Sequence, residues 1–304
     1  MSVARRAPLL GALAGAAVGA AGALWLARRG AARAARLRED VAARLALGPD
    51  GIVVGAEPIA LDAPGDRAVV VVHGFGDAPD SVRGLARHLH AAGWTVRAPL
   101  LPGHGRTLDA FARATGDEWR AAVRDALAEV RAHHAHVVLV GVSMGGALAT
   151  ALVADAPPNE RPDRLVLLAP YLATPRTIRA AAAAHGLVAL VAPWIESRNP
   201  RSIRDAAARA ASRGYGVVAP HLLRELVRVV ARGRRALARV DVPTFVVHSR
   251  LDNRIAPAAA AAAFARLGAA DKTLTWLDGS GHVITVDHER GRVYALVTDW
   301  LKQG

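Results

Sequence analysis

The sequence predicts an α/β protein built on a mainly parallel, doubly wound sheet with a helical insertion. Three observations point there. From residue 52 onward, short apolar runs rich in β-branched residues alternate with helical segments, the pattern of successive strand–helix units. One of those runs, Val69-Val-Val-Val72, is continuously apolar and suits a strand covered on both faces. The alternation breaks only once, over residues 171–239, where nearly every segment is helical and Pro193, Pro200 and Pro220 interrupt it.

At the N-terminus, residues 7–27 are uncharged and bracketed by Arg5-Arg6 and Arg28-Arg29. The length suits a helix across a hydrocarbon core, although alanine and glycine keep the hydrophobicity low. Residues 1–30 are therefore expected to be a membrane anchor, with a cleaved signal peptide or a plain low-complexity helix as alternatives. Gly11, Gly15 and Gly19 recur every four residues, a small-residue stripe through which two such helices could pair as a homodimer. The arginines that follow (Arg28, Arg29, Arg33, Arg36, Arg38) would keep the rest of the chain cytoplasmic under the positive-inside rule; secreted and soluble placements are the alternatives. Residues 31–51 continue as an Ala/Arg linker helix, closed by the turn Gly48-Pro-Asp-Gly51.

The core is expected over residues 52–170 and 240–304, with 171–239 as a cap. An opening strand or hairpin at 52–61 precedes the strand 67–73, a helix at 80–92 and a strand at 95–101. The loop Pro102-Gly-His-Gly105 and an amphipathic helix at 117–132 come next. A strand then runs from His136 into Gly141-Val-Ser143-Met-Gly145 and the alanine-rich helix 147–154, which stops at Pro157-Pro158. A strand at 164–169 precedes the cap. After it follow a strand at 244–248, a helix at 257–267, a strand at 272–277 and a final helix at 289–301.

Chemistry concentrates at strand ends, where ligands bind in such sheets. Gly-x-Ser-x-Gly between a strand and a helix is a nucleophile elbow: the serine occupies a strained turn at a helix N-terminus, where developing negative charge is favoured. A serine hydroxyl needs a base and a group that orients the base. Asp252 stands just past the 244–248 strand, and His282 past the 272–277 strand in a glycine-flanked loop, so both arrive above the same sheet edge as Ser143. Among twelve histidines only His282 combines that position with such a loop; His248 reads as a packed core residue and His104 as either pocket rim or turn. Asp278 and Asp287 are the rival acids, the first too close in sequence to reach round to His282, the second explained as a helix N-cap. Acyl transfer also needs oxyanion donors, here the backbone N–H of Met144 and, from the loop His73-Gly-Phe75-Gly-Asp77, that of Phe75.

Composition excludes other classes. The absence of cysteine removes disulfides and thiolate chemistry. The net charge of +13 comes almost wholly from arginines scattered over many helices, with few aromatics, which argues against nucleic-acid binding. No His-Glu-x-x-His, aspartate-rich loop or Gly-x-Gly-x-x-Gly after a strand is present, so no metal or nucleotide cofactor is expected.

With these residues in place, the chain resembles the α/β-hydrolase superfamily, and within it the bacterial carboxylesterase and monoacylglycerol lipase group. The resembling pieces are His73-Gly-Phe-Gly76, Leu101-Pro-Gly-His-Gly105, Gly141-Val-Ser-Met-Gly-Gly146, Pro243-Thr-Phe-Val-Val247 with Asp252, and Ser280-Gly-His-Val-Ile-Thr-Val-Asp287. The resemblance implies Ser143, Asp252 and His282 as a triad, Phe75 and Met144 as oxyanion donors, and an ester substrate of small-molecule or lipid kind; the apolar cap and the expected tether near lipid favour an apolar acyl group. The insertion at 171–239 is longer and richer in arginine and alanine than that group leads one to expect. The competing readings are acyl transfer to an acceptor other than water and a catalytically silent, membrane-tethered binding protein on the same fold.

Overall fold

The computed structural model describes residues 7–303, with side chains described from residue 21. A long helix, α1 (Ala7–Arg44), leads into the first sheet strand, β1 (Ile59–Leu61). Then come β2 (Arg67–Val72), α2 (Arg83–Ala91), β3 (Thr95–Ala98), α3 (Leu108–Arg113), α4 (Gly116–Arg131), β4 (His136–Val142), α5 (Met144–Asp155) and β5 (Arg164–Leu168). The insertion contains α6 (Arg176–Ala183), α7 (His185–Val191), β6 (Ile195–Glu196), α8 (Ala206–Ala211), β7 (Val217–Val218) and α9 (Pro220–Ala236). The chain returns through β8 (Thr244–Ser249), α10 (Pro257–Ala265), β9 (Lys272–Leu277) and α11 (Arg290–Lys302).

The seven-stranded sheet has the order β1-β3-β2-β4-β5-β8-β9; only β1 is antiparallel to its neighbour. Strand order reverses between β3-β2 and β4-β5, so the carboxyl end of central β4 opens a crevice. β4 and β5 are apolar on both faces because helices cover both: Val137 and Leu139 face α4, α5 and α9, while Val138 and Val140 belong to a second core with α2 and α11. Thr115 begins α4 with a capping box, its hydroxyl accepting from Glu118 N–H while Glu118 accepts from the Thr115 N–H.

Two expectations need correction. The first is the N-terminal membrane anchor. The helix is continuous from Ala7 to Arg44, since nothing between residues 27 and 44 breaks it. Its second half packs on the rest of the chain: Ala34, Val41 and, just past its end, Leu45 are buried, Arg38 pairs with Asp109 at 2.8 Å, and Arg44 donates to the Tyr215 carbonyl. No helix among the described residues is long and apolar enough to cross a membrane, so the anchor at 7–27 is not supported. The stripe Gly11, Gly15, Gly19 lies outside the residues whose side chains are described. The second correction concerns the insertion, which is not wholly helical: β6 and β7 form an antiparallel ribbon, with Ile195 opposite Val218 and Glu196 opposite Val217.

Candidate active site

Ser143 sits between β4 and α5 with φ 53° and ψ −116°, a conformation that costs a non-glycine residue energy and must be held by its surroundings. They do hold it: the Ser143 N–H donates to the Leu168 carbonyl at 3.0 Å, and its own carbonyl accepts from Tyr171 at 2.9 Å. The turn is so tight that a Cβ at Gly141 or Gly145 would collide with backbone, that of Gly145 itself in the first case and Val72 and His73 in the second. That is the physical content of the flanking glycines.

The Ser143 hydroxyl meets His282 Nε2 at 2.8 Å. On the other side of the ring, Nδ1 lies 2.7 Å from Asp252 Oδ2. All three side chains are buried. Asp252 Oδ1 accepts from the N–H groups of Arg254 (2.7 Å) and Ile255 (2.9 Å). Burial alone would raise the Asp252 carboxyl; the His282 charge and hydrogen bond, with the Ile255 N–H, outweigh it and hold the group below its ordinary value. An ionised Asp252 fixes a proton on Nδ1, which leaves Nε2 free to accept the serine proton.

The two expected oxyanion donors flank the serine in different ways. Phe75 and Ser143 line one cavity, and Met144 opens α5 directly after Ser143. Among the described residues, neither the Phe75 nor the Met144 N–H donates to a protein acceptor. His73 stiffens the Phe75 loop: its Nε2 accepts from Leu101 N–H, its Nδ1 donates to the Gly74 carbonyl, and burial pushes its pKa down to about 4, so it stays neutral. His104 is buried among His73, Phe75, Phe111 and Trp119 rather than at a pocket rim.

The rival acids fall elsewhere. Asp278 is exposed and pairs with Arg250 at 3.3 Å. Asp287 is fully buried and accepts from the N–H groups of Gly281, Arg204, Asp205 and His288, so it ties the His282 loop to the insertion instead of capping α11. Sequence reasoning missed this; it placed His248 in the core, where it is, but missed its contact with Asp252. That imidazole is buried against Asp252, Nε2 to Oδ2 at 3.3 Å, and burial drives it toward its neutral form despite the carboxylate. Its four-residue spacing from Asp252 was the available signal.

The cavity above Ser143 has a volume of about 670 Å³ and is bounded by Phe75, Tyr171, Ile178, Ile195, Val217, Val218, Leu223 and Leu226. Its lining is mostly apolar, and its size suits a small organic ligand. Among the described residues no group of acidic or histidine side chains could hold a metal.

Comparison with known proteins gives the family. The model of the family described as "Serine aminopeptidase, S33" matches residues 63–289, most of the chain. A carboxylesterase from Bacillus subtilis (strain 168) is 26% identical over 242 residues, covering 79% of this chain and 94% of that protein. A thermostable monoacylglycerol lipase from Bacillus sp. (strain H-257) is 27% identical over 244 residues, covering 79% and 91%. A solved structure of a metagenome-derived lipolytic enzyme superposes with a TM-score of 0.76 at 26% identity, covering 83% of this chain and all of that one. The chain belongs to the serine aminopeptidase S33 family of α/β-hydrolases and is a serine hydrolase of the esterase and lipase type.

Proposed function

We propose that the protein hydrolyses carboxylic esters with an apolar acyl chain, monoacylglycerol-like esters among them, through an acyl-enzyme on Ser143. The observation that carries this reading is the unbroken hydrogen-bond chain Ser143–His282–Asp252 opening into an apolar cavity. His282 Nε2 takes the hydroxyl proton as Oγ attacks the ester carbonyl. The oxyanion lies against the N–H groups of Phe75 and Met144. His282 then gives its proton to the departing alcohol, which leaves the acyl group on Ser143. Water, deprotonated by the same nitrogen, releases the acid and restores the serine. Asp252 stabilises the imidazolium in both halves. The bacterial carboxylesterase and monoacylglycerol lipase relatives support the ester class, and the aliphatic lining from α6, β7 and α9 supports an apolar acyl group.

The test is hydrolysis of a p-nitrophenyl ester series from acetate to palmitate by the full chain and by Ser143→Ala. Turnover is expected to fall at least about 10³-fold in the variant, as when a triad nucleophile is removed. Comparable turnover by both proteins overturns the assignment.

A further inference from the structure

The cavity has a second kind of lining, and it comes from different elements. The aliphatic wall arises from α6, β6, β7 and α9; the guanidinium groups of Arg198, Arg209 and Arg254 come from the loop after β6, from α8 and from the Asp252 loop, with Arg44 added from the end of α1. Most nearby acids are already engaged. Arg44 and Arg198 share a single carboxylate, Asp40, at 3.5 and 2.6 Å. Glu196 faces Arg33 at 3.8 Å. Asp77, the remaining acid of the lining, belongs to the oxyanion loop and accepts from Ala78 N–H.

Arg209 and Arg254 have no carboxylate partner among the described residues. Arg209 Nη1 donates to backbone carbonyls, the shortest bond being 2.8 Å to Ile203. Arg254 is half-buried; its Nε donates to Ser202 Oγ at 3.0 Å and its Nη2 to the Ser197 carbonyl at 2.6 Å. These bonds fix the fork and leave it without a carboxylate partner in the cavity wall, where its charge is open to an anion.

The position of Arg254 says which part of a substrate it would meet. His282 must hand its proton to the departing alcohol, so the alcohol portion lies on the His282 side of Ser143. The arginine-bearing loop borders that side: Val283, next to His282, donates its N–H to the Ser202 carbonyl at 2.9 Å, and Ser202 is the residue that holds Arg254. We propose, resting on the ester-hydrolase reading above, that the preferred substrate carries a phosphate or carboxylate on its alcohol portion, bound by Arg254 with Arg209. Planar guanidinium groups suit either anion by paired hydrogen bonds. The reaction is ordinary hydrolysis: the acyl C–O bond breaks, water supplies OH to the acyl carbon and a proton to the alcohol oxygen, and the anionic alcohol leaves intact.

The experiment compares kcat/KM of the full chain for three soluble butyrate esters, of glycerol, glycerol 3-phosphate and glycolate, with p-nitrophenyl butyrate alongside. At least one anionic ester is expected to exceed the glycerol ester by tenfold or more; preference for the phosphate ester alone, for the glycolate ester alone, or for both tells which anion the site accepts. The ratio of anionic to neutral ester is expected to fall at least tenfold in Arg254→Ala, to recover in part in Arg254→Lys, and to fall in Arg209→Ala. Reading a ratio removes any general loss of folded protein, and Arg209→Ala serves if Arg254→Ala does not fold. Equal or better hydrolysis of the glycerol ester, or an unchanged ratio in the variants, overturns the inference; Ser143-dependent turnover of p-nitrophenyl butyrate would then leave the esterase reading standing. No turnover of any of the four esters overturns both.

Discussion

Two acids beside the candidate site are held against their own chemistry. Asp77 and Asp80 lie on the loop after β2 and the short turn of helix Pro79–Val82 that follows it, under the irregular segment of the insertion that carries Arg213 and Tyr215. Burial raises Asp80 to about 7, and repulsion by Asp77 adds to it, against the Arg213 N–H and the charges of Arg213 and Arg83. Burial likewise raises Asp77 to about 6. Asp80 Oδ1 is buried with no hydrogen-bond partner among the described residues. The sign follows from linkage. An acid whose folded pKa exceeds its unfolded one keeps its proton in the folded state between the two values, so stability falls as pH rises from near 3.8 through about 7. Asp80→Asn removes that penalty. Its Tm relative to the parent chain is expected to be higher at pH 8 than at pH 4.5; an equal difference at both pH values contradicts this account. The candidate residues Ser143, Asp252 and His282 were legible because each stands just past a strand end. Arg254, His248 and Asp287 were not: their roles depend on Ser202, Asp252 and Gly281, contacts that sequence spacing does not display.

Among the elements, the sheet strands were readable because continuous apolar runs such as Val69–Val72 have few alternatives to a strand buried on both faces. The ribbon β6-β7 was not, since two-residue strands carry no alternation to detect. Helix α1 carried the misread anchor: its uncharged run has the length of a membrane span, but it is rich in alanine and glycine and is not apolar enough to be one. Its last turns contact the insertion, through Arg44 to the Tyr215 carbonyl and through Asp40 to Arg198. Tyr215 in turn donates its N–H to the Gly76 carbonyl of the oxyanion loop. Removing residues 1–47 strips Val41 and Leu45 from the core, a loss of roughly 3 kcal/mol or more on the scale of buried aliphatic side chains. A lower Tm is expected, together with faster amide exchange over residues 212–218; unchanged exchange there contradicts a coupling between α1 and the insertion.

At the scale of the whole molecule, one arrangement serves both fold and chemistry. The parallel sheet brings β4, β8 and β9 to the same edge, so Ser143, Asp252 and His282, separated by up to 139 residues, meet within two hydrogen bonds. The insertion closes over them and supplies the apolar wall with Arg198 and Arg209, while Arg254 comes from the Asp252 loop. The central claim is that this serine, activated by this histidine, accepts the acyl group. The most direct measurement is intact and peptide mass spectrometry after treatment with a fluorophosphonate, which reacts readily only with an activated serine. The account predicts one phosphonyl group per chain, on the peptide containing Ser143, and little labelling in His282→Ala. Label on another residue, or undiminished labelling of Ser143 without His282, would contradict it.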